Sequence, residues 1–292
     1  MELVPLGPGF GVEVKGVSML DVATDDQAYK AVRAAFETHS LLVFRDQAIA
    51  DDVQTAYSRA FGPLELTKAS SLGQNTFYSR LTNLEKGKIV PPDHRQVMAA
   101  KANALWHTDS SFKKTPALAS VLTARVLPDA GGETEFTSTR CAWERLPPDL
   151  QSKLKDAIAT HSYANSRDQI HPDLATEVER KQLPPVRWRM NWRNPSNDRR
   201  ALYVASHAYA IDGMDDRDAR QLLAQLLDEA TKPEFVYSHK WRQGDAVMWD
   251  NRAMLHRGPP WPYERERTMV RTTISATDAD GLNEVKPPPV LH

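Results

Sequence analysis

A single cysteine, Cys141, is all the thiol that this 292-residue chain contains, which excludes an internal disulfide and every zinc or iron-sulfur site built on several cysteines. Any metal ligands must then come from histidine and carboxylate. An excess of one charge is missing too, since 37 Lys and Arg stand against 38 Asp and Glu, so no overall field draws the chain to nucleic acid or to an anionic membrane. No apolar run approaches the roughly 20 residues a membrane helix needs. The start, Met1 to Gly11, carries Glu2 and two prolines and lacks the basic-then-apolar pattern of a secretion signal. The expectation is a cytoplasmic protein without nucleic-acid or membrane partners. Neither an internal repeat nor a low-complexity tract interrupts the chain.

What is present suffices for a sizeable core: 41% of the residues are hydrophobic, with seven Trp and eight Phe among them. Because barrel folds often reach this length as one unit, a single domain over 1–292 is expected. Helical periodicity marks Asp26 to Thr38, Asp51 to Phe61, where Gly62-Pro63 gives a stop, and Asp215 to Ala230, with a Leu222, Leu223, Leu226, Leu227 stripe and acidic residues at the positive end. A shorter helix is expected from Pro147 to Ile158. Ser40 to Phe44 reads as a buried strand. Val186 to Arg193 with Ala201 to Tyr209, and Phe235 to Trp241 with Asp245 to Trp249, read as two hairpins about turn-rich connections. The fold class is therefore mostly β with flanking helices, a double-sheet core of jelly-roll type. Residues 64–104 are polar and aperiodic and read as a long active-site loop or lid. Residues 281–292 read as a flexible tail.

Trp106-His107-Thr108-Asp109-Ser110 sets a His and an Asp two residues apart, and on an extended strand such residues point to one face. His256, far downstream and just past a strand, offers a third ligand. Two imidazoles and one carboxylate on one face of an octahedron leave three positions open, the arrangement of non-heme iron(II) oxygenases. His39, His161 and His239 read as packing or surface histidines.

Such a centre, with 2-oxoglutarate as co-substrate, needs further groups. Chelation through the ketone and C1 carboxylate leaves a far carboxylate that requires a buried cation. Arg267 is placed for that, and Thr134 in Gly131-Gly132-Glu133-Thr134 adds a hydroxyl. One guanidinium also neutralises the cluster, because iron(II), one Asp and a doubly charged co-substrate sum to a single negative charge. Arg271 lies on the same side of the strand that follows Arg267, and a second inward cation implies a second anion, most simply a substrate carboxylate.

Taken with Leu42-Val43-Phe44-Arg45-Asp46-Gln47, Phe61-Gly62-Pro63-Leu64-Glu65, Leu105 to Phe112, Gly131 to Phe136, Val247-Met248-Trp249-Asp250-Asn251-Arg252 and His256-Arg257-Gly258, these residues resemble the taurine dioxygenase and 2,4-dichlorophenoxyacetate dioxygenase (TauD/TfdA) family of iron(II)/2-oxoglutarate enzymes. The order and spacing match from about residue 5 to 275. The resemblance implies a double-stranded β-helix, cupin-like core, with His107, Asp109 and His256 on Fe(II), Thr134 and Arg267 on 2-oxoglutarate, and O2 as oxidant. It leans toward the phenoxyacetate branch, where Arg271 would hold the substrate carboxylate and Lys68 and Lys88 fall near assisting lysines. It further implies a substrate-site place for His207 and Asn103, and a homo-oligomer, dimer to tetramer. The stretch His161 to Gln182 matches least and is expected to line the substrate entrance.

The activity implied is hydroxylation of an anionic small molecule, foremost an aryloxyalkanoate, with ether cleavage to a phenol and a 2-oxo acid and release of succinate and CO2. The same residues would serve another carboxylate, a sulfonate or an N-substituted amino acid. Alternatives of other classes are a zinc hydrolase on the same three ligands, a noncatalytic binding barrel, and a nucleic-acid surface formed by Arg187, Trp188, Arg189, Trp192 and Arg193.

Overall fold

The computed structural model describes all residues except 8, 48–49, 68–74 and 289–292. Two sheets face each other. The larger runs in the order Glu2–Pro5, Val12–Lys15, Leu41–Phe44, Ala246–Asp250, Ala117–Val126, Thr268–Ser275, Tyr78–Thr82, antiparallel throughout except where Val12–Lys15 runs parallel to Leu41–Phe44. The smaller consists of Val236–His239, Thr134–Ser138 and Met254–Arg257. A one-residue bridge from His107 to His256 extends its edge.

Strand alternation explains why Leu41–Phe44 is apolar without a break. Leu41 and Val43 pack against Phe136 and Met254 of the smaller sheet, together with Leu122, Val247, Trp249 and Met269. Leu42 and Phe44 pack on the opposite face with Val32 and Phe36 of the Asp26–His39 helix and Tyr57 and Phe61 of the Asp51–Phe61 helix. Each large apolar side chain buried in this way contributes roughly 1.5–3 kcal/mol. The Asp216–Ala230 helix starts at the Asp215 cap and turns Leu223 and Leu226 onto a separate cluster with Trp143, Met190 and Leu202. No helix among the described residues is long and apolar enough to cross a membrane.

Several expectations need correction. Helix and strand are about evenly represented, so the fold is mixed and "mostly β" applies to its central layers alone. Phe235 to Trp241 and Asp245 to Trp249 are not a hairpin: Val236–His239 pairs with Thr134–Ser138, Ala246–Asp250 pairs in the larger sheet, and the turn at Gly244 passes the chain between sheets. Val186 to Arg193 breaks at Met190. Its first part, Val186–Arg189, and the Ala208–Ile211 strand both pair with Ile158–His161, while Asn191–Arg193 and Arg200–Leu202 alone form the expected hairpin. The helix expected to reach Ile158 ends at Leu154. Residues 64–104 are not one open loop, because Tyr78–Thr82 is an edge strand of the larger sheet and Arg95–Ala102 is a helix. Its half-exposed edge position removed the apolar alternation by which a strand is recognised. The tail is corrected for 282–285, a short helix whose Leu282 and Val285 are buried in the core.

Candidate active site

His107 and Asp109 meet by a route other than strand alternation. His107 exchanges backbone hydrogen bonds with His256, at 3.0 and 2.9 Å, and the chain leaves this one-residue bridge in a turn at Asp109 and Ser110, the latter at φ 58°, with the Asp109 carboxylate beside the two rings. All three side chains are buried, and one ligand atom from each lies within 4.8 Å of the others. His107 Nδ1 lies 2.7 Å from the Leu105 carbonyl, so that nitrogen donates and Nε2 keeps its lone pair. His256 Nε2 lies 3.6 Å from Asp109 Oδ2.

Burial, and for His256 also the neighbouring His107, pushes both imidazoles below their ordinary pKa. Burial raises that of Asp109, but Arg271 first and then the two imidazoles outweigh it and hold the carboxyl below the usual carboxylate range. Two neutral imidazoles and one carboxylate form a donor set that fits a divalent iron and leaves coordination positions free.

Asp109 is itself held. Its Oδ1 accepts from Arg271 Nη1 at 2.5 Å, and its Oδ2 accepts from Ser120 Oγ at 2.6 Å. Asn251 ties these groups together: its Oδ1 accepts from Asp109 N at 3.0 Å and Trp249 Nε1 at 3.1 Å, and its Nδ2 donates to Ser120 Oγ at 3.0 Å. The apolar-acidic run containing Asn251 was visible in the sequence, but its hydrogen bonds were not, because each partner comes from elsewhere in the chain.

Arg267 immediately precedes the Thr268–Ser275 strand and is buried. Its Nε and Nη2 donate to the Gly132 carbonyl at 3.3 and 3.1 Å, and its guanidinium lies 5.1 Å from the centre of the Trp261 ring. Among the described residues it has no carboxylate partner, and burial pushes its pKa down to about 10. Gly132, at φ 80°, is a requirement of this contact: a Cβ there would stand 3.2 Å from Arg267 Nε. Thr134 accepts from Trp241 Nε1 at 3.0 Å. Asn83, a buried residue that the sequence did not single out, pins the loop carrying Arg267. Its Nδ2 donates to the Tyr263 and Arg265 carbonyls at 2.8 and 2.7 Å, and its Oδ1 accepts from Arg267 N at 3.0 Å.

His107, His256, Thr134, Arg267, Arg271, Asn83 and Asn103 line one cavity of about 520 Å³. Of the remaining candidates, His207 is buried behind it. Its ring centroid stands 6.2 Å from that of His107, and its Nδ1 lies 3.3 Å from Ser111 Oγ, so it backs the wall without lining it. Lys88 is exposed and does not line the cavity, a displacement caused by its place in the Leu84–Glu85 and Lys88–Ile89 hairpin. Lys68 lies outside the described residues. The segment expected at the entrance does supply wall residues, Tyr163, Arg167, Leu174 and Glu179.

Comparison with known proteins matches residues 2–273 to the family described as Taurine catabolism dioxygenase TauD, TfdA family. The α-ketoglutarate-dependent 2,4-dichlorophenoxyacetate dioxygenase of Cupriavidus pinatubonensis is 38% identical over 275 residues, covering 92% of this chain and 96% of that protein. The (S)-phenoxypropionate/α-ketoglutarate-dioxygenase of Sphingobium herbicidovorans is 33% identical, covering 95% of this chain and 96% of that protein. The crystal structure of AAD-2 in complex with Mn(II) and N-oxalylglycine superposes with a TM-score of 0.88 at 34% identity, over 95% of this chain and 98% of that one.

Proposed function

Since the chain belongs to the TauD, TfdA family of α-ketoglutarate-dependent dioxygenases, we propose that it oxidises an aryloxyalkanoate at the carbon bearing the ether oxygen, releasing a phenol and a 2-oxo acid. The observation that carries this reading is one cavity lined by His107, His256, Arg267 and Arg271, with Asp109 completing the cluster of possible metal ligands and accepting from Arg271. The facing sheets support a double-stranded β-helix in which the His107 to His256 bridge joins the two ligand-bearing segments. The whole chain acts as one catalytic domain.

The enzyme uses Fe(II), 2-oxoglutarate and O2, and these supply the oxidising chemistry, converting the co-substrate to succinate and CO2. The protein's part is placement. His107, Asp109 and His256 hold the iron, with the His107 tautomer set by Leu105 and the Asp109 carboxylate set by Ser120, Asn251 and Arg271. Arg267, lacking a carboxylate partner in its buried position, receives the far carboxylate of 2-oxoglutarate, and Thr134 adds its hydroxyl. Arg271 donates to Asp109 through Nη1 and lines the cavity, so its guanidinium can bridge the metal ligand and a substrate carboxylate. A substrate held there by its acid group presents the adjacent carbon to the metal. Hydroxylation at that carbon yields a hemiacetal, and breaking its carbon–ether bond gives the phenol and the 2-oxo acid. Asn103 shapes the wall, and His207 supports it from behind.

The test begins without oxygen: iron(II) and 2-oxoglutarate are added and the weak visible band of the chelate is sought, after which oxygen and a panel of aryloxyalkanoates, other carboxylates and sulfonates are supplied and succinate is assayed. A band, with succinate and phenol released from aryloxyalkanoates, is the expected result. Absence of both band and succinate would overturn the class, and turnover confined to the other acids would overturn the substrate.

A further inference from the structure

Arg167 is a cation of the cavity wall that the mechanism above does not use. It lies in the Tyr163–Asp168 helix and lines the same cavity as His107, Arg267 and Arg271. A half-buried guanidinium ordinarily finds a carboxylate, yet each acid near it is already engaged. Glu179 accepts from Arg95 Nη2 on both oxygens at 2.7 Å and caps its own helix through Thr176 at 3.0 Å. Asp168, the next residue, pairs with Arg180. What holds Arg167 is neutral: its guanidinium lies 4.6 Å from the centre of the Tyr163 ring, and its Nη1 donates to Ser166 Oγ at 3.3 Å. That arrangement fixes the direction of the side chain without cancelling its charge. Its positive field acts on the imidazoles of His107 and His207, as that of Arg271 acts on His107.

The charged groups of the wall then distinguish substrates. Arg80 pairs with Asp51 and Arg95 with Glu179, and Glu133 acts on Arg267. With the co-substrate on Arg267 and a substrate carboxylate on Arg271, Arg167 is left as the wall guanidinium that no anion has met among the described residues. We propose that Arg167 is a second substrate-recognising guanidinium, and that the acids this cavity favours carry, besides the carboxylate held by Arg271, a second anionic group directed to Arg167. This rests on the proposed function, whose substrate class it narrows to aryloxy acids with an acidic substituent.

Isothermal titration calorimetry tests this on the full chain loaded anaerobically with manganese(II) and 2-oxoglutarate, with phenoxyacetate and carboxyphenoxyacetate as probes. Wild type is expected to bind the diacid at least tenfold more tightly. Arg167→Met should erase that preference while leaving phenoxyacetate and 2-oxoglutarate affinities within twofold of wild type, and Arg167→Lys should retain part of it. Arg271→Met should weaken both probes. Equal affinity of wild type for the two acids, or a preference that survives Arg167→Met, would overturn the assignment. Failure of 2-oxoglutarate to bind the wild type at all would instead overturn the proposed function, and circular dichroism shows whether each variant is folded.

Discussion

Replacing Asn251 by alanine tests how far the metal site depends on one buried amide. In the wild type, Asn251 is 1% exposed. The substitution removes the acceptor of two buried donors, Asp109 N and Trp249 Nε1. Thr108 Oγ1 keeps its stronger bond, to the Asn251 main-chain carbonyl at 2.6 Å, and Ser120 keeps Asp109, so two orphaned donors are the main loss. At about 1–3 kcal/mol for each, the destabilisation is roughly 2–6 kcal/mol. A domain of this size shifts its melting point by about 2–4 °C per kcal/mol, so a fall on the order of 10 °C is expected. Loosening the Asp109 main chain should also weaken the metal by about 10- to 100-fold, the usual effect of losing a partner that orients a ligand. Thermal unfolding of the apo protein and manganese(II) titration followed by electron paramagnetic resonance read the two effects separately. A variant that melts with wild type and binds manganese(II) within twofold of it would refute the account of Asn251 as the group that orients Asp109.

Asn83→Ala frees the loop that carries Arg267, so 2-oxoglutarate should bind roughly tenfold more weakly, one buried hydrogen-bond network's worth, while manganese(II) affinity holds; calorimetry showing equal losses of both would refute a role confined to the co-substrate. His161 is buried with neither ring nitrogen bonded among the described residues, and burial pushes its pKa down to about 3 from an ordinary 6.5. Between those values the unfolded chain carries the extra proton, so stability rises with pH by about 1.4 kcal/mol per unit from this group, is fully present above 6.5, and is lost toward 3. His161→Phe should therefore lose less stability than wild type between pH 6.5 and pH 5, and urea midpoints that shift in parallel would sink the argument. Arg95→Met breaks the pair with Glu179 at a position where the arginine side chain is 48% exposed, so its cost should stay within about 1 kcal/mol. Its readout is substrate affinity, which should change while the melting point stays within a few degrees; a collapse in melting point would contradict this.

Much of the molecule was legible because its signals are local. The Asp51–Phe61 helix and its stop at Gly62, the acid-led helix that ends at Ala230 and the Leu41–Phe44 strand follow from periodicity, helix-end charge and stop signals. The candidate metal ligands His107, Asp109 and His256 stood out for a different reason: with one cysteine few residue types remain that can hold an ion, and Arg267, Thr134 and the surrounding motifs supplied the context that the triad alone lacks. Pairing partners were not legible. Alternation in Phe235 to Trp241 states which side chains point inward, but not that the strand joins the smaller sheet while its successor joins the larger. Asn83 escaped notice, and Asn251 was seen only as part of a motif, because an amide announces nothing by its spacing; its role is fixed by carbonyls and amide groups brought to it from distant segments. Lys88 was misplaced because proximity in sequence to a site loop says nothing about which side of a hairpin faces the cavity.

The site divides along the same line. Groups assigned to metal and co-substrate sit on or beside the two sheets, and their positions are fixed by buried partners: Ser120 and Asn251 for Asp109, Gly132 and Asn83 for Arg267. Disturbing them costs stability as well as chemistry. The other wall is formed by the short helices Arg95–Ala102, Tyr163–Asp168 and Glu177–Gln182, each started by its own cap, at His94, Ser162 and Thr176, with the first and third joined by the Arg95 to Glu179 pair. Such contacts are individually weak, so side chains there can be exchanged with little effect on the sheets. On the proposed function, substrate range is thus set by the part of the fold that is energetically least coupled to the reaction centre, and Arg167, bound to that wall by neutral contacts among the described residues, is where a change of substrate should be easiest to make.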